Sequence, residues 1–237
     1  NREMPFIRRA VARAAADLLD QLVKPGQTIC IGAGRTLATV TGLMTRRHLR
    51  GVIVVPATGN AGHAGLDIDY SSVAQSAAKA LGGTAYRISA PAILGAGASA
   101  PQLEASNPQI RDALVAARHA EIYFLGLGSL AGDEIFVRTG LISSVDLDAV
   151  RAAGAVGDLC GSFFSASGQA CPGPFATRVV GIGLDDLRRA PLVVVCVGGE
   201  EKIPAIAGAL RGRLFNTLVT DEHTARGVLE LLHGTVA

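Results

Sequence analysis

The string ICIGAGRTLATV, Ile29 to Val40, constrains the fold more than any other: a short apolar run halts at Gly32-Ala33-Gly34 and resumes with helical periodicity. A strand that turns this sharply into a helix opens a βα unit, and such units pack by crossing over to a neighbouring parallel strand. Three more runs, VIVV from Val52, IYFLGL from Ile122 and LVVVCV from Leu192, are apolar throughout instead of at alternate positions. Strands of that kind are covered on both faces. The expected fold is α/β, a doubly wound and mostly parallel sheet with helices on either side.

Between these runs the periodicity changes to that of helices. Ile7, Val11, Ala14, Leu18 and Leu22 recur at three- and four-residue intervals behind Pro5, which predicts an amphipathic helix over 5–23, stopped by the KPGQ string from Lys24. Further helices are expected at 36–46, 71–81, 108–118, 201–210 and 222–233, and strands at 28–31, 52–55, 84–88, 121–126, 179–182, 192–197 and 215–219. Two stretches, 57–69 and 128–177, break this rhythm; long segments between elements carry function or form small insertions. No repeat or linker divides the chain, so one domain over 1–237 is expected, with a small insertion within 128–177.

Composition excludes several classes. With 22 basic and 20 acidic residues scattered evenly, net charge +2, there is no basic surface for nucleic acid. No stretch of about 18 apolar residues marks a membrane span, and the N-terminal segment alternates charge with apolar positions unlike a signal peptide, so a cytoplasmic location without membrane contact is expected. Cys30, Cys160, Cys171 and Cys196 form no CxxC pair, and His63, His119 and His233 stand alone; neither metal nor cofactor is expected. No Ser/His/Asp spacing supports a nucleophile, and no catalytic residue is assigned.

The glycine turn at Gly32 and Gly34 is followed by Arg35, Thr36 and Leu37. Backbone amides at a helix N-terminus, with a guanidinium and a hydroxyl beside them, suit a phosphate or another small anion, although two glycines after a strand also serve plain turn geometry. Leu37 occupies the third glycine position of a dinucleotide fingerprint, and no Gly-Lys-Ser/Thr ending is present, which disfavours NAD and a P-loop. A second glycine corner, CVGGEEK, puts Lys202 in a first helical turn, where the dipole disfavours a cation. Only three of the 22 basic residues are lysines, Lys24, Lys79 and Lys202, so a compact ammonium here suggests a ligand, the alternative being a solvated pair with its glutamates. In GAVGDLCGSFF, Asp158 sits among apolar and glycine residues; sugar hydroxyls or a capped turn would satisfy it. Gly59, Asn60, His63, Asp67, Asp69 and Arg138 are further polar-loop candidates.

GAGRTL after a strand, GAVGDLCGSFF, RVVGIGLDDLRRAPLVVVCVGGEEK and the closing ALRGRLFNTLVTDEHTARGVLELL together resemble the effector-binding domain of the SorC family of bacterial transcriptional regulators, over nearly the whole chain from Met4. The resemblance implies a phosphosugar sensor whose fold is related to glucosamine-phosphate deaminase, ribose-phosphate isomerase and the CoA-transferases. It implies that Gly32, Gly34, Arg35, Thr36 and Leu37 cradle a phosphate, that Asp158 and Lys202 contact the ligand, and that Arg138, with the Gly59-Asn60 loop, meets the sugar or a second phosphate. It also implies a homo-oligomer, dimer or tetramer, and operator DNA bound through an N-terminal helix-turn-helix domain that this chain lacks. The Asn-Ala-Asn string common in the family reads Asp69, Tyr70, Ser71 here, so the sugar is not specified.

Two rivals remain at this point. A sugar-phosphate isomerase, deaminase or Schiff-base lyase on the same scaffold would need a base or amine tuned to neutral pH, for which Asp158 and Lys202 are available; the acidic DGADE-like string of the isomerases is missing. A pure oligomerisation module would bind no phosphosugar.

Overall fold

The computed structural model describes residues 4–60, 70–130, 137 and 140–234. Its core is a six-stranded parallel sheet in the order β3-β2-β1-β4-β8-β9. The strands are β1 (Thr28–Ile31), β2 (Ile53–Pro56), β3 (Thr84–Ala85), β4 (Ile122–Leu125), β8 (Val193–Cys196) and β9 (Thr217–Val219). From β1 the chain winds outward through β2 to β3, then returns to β4 and winds the other way. Adjacent β1 and β4 therefore leave a crevice between their oppositely departing connections.

Continuous apolarity is explained by the two covered faces. Ile29, Ile31, Val54, Phe124 and Val194 pack into one core with α1 (Met4–Leu22), α2 (Arg35–Leu43) and α3 (Tyr70–Leu81). Cys30, Val55, Tyr123, Leu125 and Val195 face the opposite core, built with α8 (Ile203–Arg211) and α9 (Glu222–His233). The other helices are α4 (Ala100–Ser106), α5 (Pro108–Arg118), α6 (Ser144–Ala152) and α7 (Leu184–Arg189). Among the described residues no helix is long and apolar enough to cross a membrane.

Three expectations need correction. Of the expected stripe of α1, Val11 is buried and Ile7, Leu18 and Leu22 pack against the core at its edge, but Ala14 is exposed; the fully buried line runs through Val11, Ala12, Ala15, Ala16 and Leu19, where small alanines let α1 approach α2 closely. Residues 179–182 are not a strand of the main sheet. They form a strap joined by isolated antiparallel bridges, Ile93 to Val179 and Thr58 to Gly181, with Val180 donating to Ala92 and Gly59 donating to Val180, both through backbone groups. The expected strand at 84–88 shrinks to Thr84–Ala85, because β2 pairs with it only there.

A second, antiparallel sheet lies within the irregular stretch. It comprises β5 (Gly128–Ser129), β6 (Ala155–Leu159) and β7 (Ser162–Ser165). Cys160 and Gly161 turn β6 into β7 with φ of 55° and 80°, the positive pair that a tight two-residue hairpin requires. Sequence periodicity missed this sheet because its strands are short and glycine-broken.

Candidate functional site

A cleft of about 430 Å³ opens at the C-terminal ends of β1, β2, β4 and β8, at the crevice where the winding reverses. Seven of the expected site residues line it: Gly32, Gly34, Arg35, Thr36, Leu37, Asp158 and Lys202. Thr36 and Lys202, which stand 166 positions apart in the chain, thus share one cavity. Gly59 and Asn60 are not on its wall: Asn60 accepts from both the amide and the hydroxyl of Ser71 and exchanges backbone bonds with Ala90 and Ala92. Arg138, His63, Asp67 and Asp69 lie outside the described residues.

The glycine turn is anchored where the Gly32 amide donates to the Phe124 carbonyl at 2.9 Å, splicing the end of β1 to β4. Gly34 is the N-cap of α2 with φ 126° and no side-chain cap, and a Cβ built there would meet nothing within 4 Å. The first intrahelical donor is the Ala38 amide, bonded to the Gly34 carbonyl; the amides of Arg35, Thr36 and Leu37 lie ahead of it and have no partner within the helix. Arg35 is exposed and Thr36 half-buried beside them.

The opposite wall is the hairpin sheet and the Gly198-Gly199 corner. Asp158 is only 7% exposed; its carboxylate accepts from the Gly161 amide at 3.1 Å, and it faces Gly128, whose missing Cβ leaves the carboxylate its room. Burial and the Asp158 charge push the Cys160 thiol well up, and burial does the same for Cys196, so both cleft cysteines are protonated and poor nucleophiles. Lys202 ends a single 3-10 turn, Glu200–Lys202, and is the N-cap of α8. The Ser129 hydroxyl donates to the Glu201 carbonyl at 2.7 Å, tying the two parts of this wall together.

Behind that corner, fully buried Thr224 accepts from the Gly199 amide at 2.9 Å and donates to Asp221 at 2.7 Å. Burial opposes ionisation of Asp221, but bonds from the Thr224 hydroxyl and from nearby amides outweigh it and hold the carboxyl below its usual range. Thr224→Val strands a buried donor and is expected to cost about 1–3 kcal/mol, read as a lowered urea midpoint with unchanged slope. An unchanged midpoint would show that this bond does not support the corner.

Sequence reasoning missed several wall residues. Arg8 and Val11 enter from α1, Thr58 follows β2, and Ala92, Ile93 and Leu141 close the cleft from the strap side. Nothing in the Arg8-Arg9 pair distinguishes a cleft arginine from a solvated one, since both fit an amphipathic helix. No group of three His, Cys, Asp or Glu side chains among the described residues is placed to hold a metal ion.

A doubly wound sheet with a mixed-charge cleft at its switch point is the architecture of a small-molecule-binding domain. Residues 2–230 match the protein family described as "Putative sugar-binding domain", and the chain belongs to it, among the effector domains of SorC-type transcriptional regulators. It is 33% identical to the transcriptional regulator LsrR of Klebsiella pneumoniae over 236 residues, 96% of this chain and 69% of that protein. It is 26% identical to the deoxyribonucleoside regulator of Bacillus subtilis over 223 residues, 94% of this chain and 71% of that one. The crystal structure of the full-length sorbitol operon regulator SorC from Klebsiella pneumoniae superposes with a TM-score of 0.85 at 25% identity, covering 94% of this chain and 72% of the regulator.

Proposed function

We propose that this chain is the effector-sensing part of a bacterial transcriptional regulator, and that its effector is a phosphorylated sugar. The observation that carries this is the convergence of two glycine-bordered strand ends on one cleft, with unfilled amides, Arg35 and Thr36 at one side and Lys202 with buried Asp158 at the other. Cations and amides suit a phosphate, and a carboxylate suits hydroxyls. Arg138 serves the sugar or a second phosphate in this reading. Regulation follows if the ligand has unequal affinity for two states of a homo-oligomer, only one of which lets a separate domain bind operator DNA. The relatives' names support this role, and catalysis is not part of it.

The test is a melting screen of the chain against sugars, each paired with its phosphate ester. A ligand at a hundredfold excess over Kd stabilises by about 2.7 kcal/mol, which in a domain of this size is roughly 5–10 °C. At least one phosphate ester is expected to give such a shift and to be recovered unchanged. No shift with any ester would contradict the reading, and turnover of an ester would transfer the site to an isomerase, deaminase or lyase.

A further inference from the structure

Arg8 is the one cleft cation that comes from α1 among the described residues. It lines the cavity together with Arg35. Burial and the Arg35 charge both lower its pKa, as expected of two like charges that share one cavity. Eight other arginines are ion-paired, yet among the described residues neither Arg8 nor Arg35 is. The acids that line the cleft are engaged elsewhere: Asp158 accepts from Gly161, and the Glu201 carboxylate fills the space beside Gly199. Two like charges that line one cavity without an ion pair are relieved by an anion that carries more than one negative charge.

The fastening of α1 is uneven in a way that gives such an anion a consequence. Its C-terminal half is tied to the end of α2, where Arg13 donates to the Leu43 carbonyl at 3.0 Å and Asp20 accepts from the Thr45 amide at 2.9 Å. Among the described residues its first turns make apolar contact, Ile7 and Val11 against Gly198, with no side-chain hydrogen bond of that kind, and Phe6 there is 78% exposed.

We infer that Arg8 and Arg35 form a two-guanidinium clamp for a dianionic oxyanion group, the ligand's phosphate if the reading above holds, and that its binding ties the first turns of α1 to the turn that opens α2. The clamp selects a phosphate monoester over a carboxylate or a phosphodiester, because a single negative charge leaves one guanidinium unmatched. Arg8 is thereby a specificity-determining residue, and α1 is the element through which an occupied cleft differs mechanically from an empty one.

Inorganic phosphate is the direct probe, titrated into the whole chain by calorimetry at constant ionic strength, with acetate as the singly charged control. Phosphate is expected to bind more tightly than acetate, Arg8→Gln to weaken it tenfold or more, and Arg8→Lys to recover part of the loss. Phosphate should also slow amide exchange over residues 5–11 in the parent and not in Arg8→Gln, a readout that a purely structural arginine would not move. Equal phosphate affinity in parent and Arg8→Gln, or no binding to the parent, overturns the clamp; a sugar phosphate that binds both proteins alike would do so while leaving the functional reading intact. Conversely, phosphate held through Arg8 with no sugar phosphate binding better than phosphate itself would retain the clamp and remove the sugar.

Discussion

Lys202→Ala is expected to weaken sugar-phosphate binding by about ten- to a hundredfold, the loss typical of one charge-assisted hydrogen bond in a confined site. Lys202 is half-buried in the cleft wall, and among the described residues it has no ion pair, despite Glu200 and Glu201 beside it. As N-cap of α8, Lys202 makes no side-chain capping bond, so alanine removes none and the melting temperature of the unliganded chain should stay within experimental error. Lys202→Arg keeps the charge but spreads it over a larger planar group, and should restore only part of the affinity. Calorimetry on the three proteins decides the matter: equal affinities would remove Lys202 from the site.

Gly59→Ala is expected to destabilise the fold by about 3 kcal/mol through overpacking against backbone, roughly 6–12 °C in melting temperature. A Cβ at this position would lie 2.7 Å from the Pro91 carbonyl oxygen and 2.8 Å from its carbon, with the Ala90 carbonyl closer still. These atoms belong to the paired 57–60, 90–94 and 178–182 segments and cannot step aside as a side-chain end could. The folded fraction should keep its ligand affinity, because Gly59 is off the cleft wall. A stable Gly59→Ala protein that had lost its ligand would instead place this glycine in the site.

These contrasting glycines show what could be read from the chain alone. Gly32 and Gly34 announced themselves because an apolar run, a turn and a helical pattern follow one another within a dozen residues, and each local signal agrees with the parallel sheet. Gly59 sits in a polar loop, where sequence cannot separate close backbone packing from ligand contact. Asp158 stood out because a carboxylate among apolar residues needs partners, yet its opposite number Gly128, 30 positions away, was invisible until β5 and β6 paired. Arg8 was hidden for the same reason: its place in the cleft depends on how α1 is rotated on α2, and periodicity put Ala14 on the buried face where the structure turns it toward solvent. Local patterns were legible, and long-range pairings were not.

The central claim is that one phosphorylated carbohydrate bridges the two glycine-bordered strand ends. A crystal structure of the chain with the strongest ester from the melting screen tests it most directly. The phosphate is expected within hydrogen-bond distance of the Arg35, Thr36 and Leu37 amides, with sugar hydroxyls reaching Asp158 and Lys202. Ligand density elsewhere, or a phosphate turned away from the amides of α2, would contradict it.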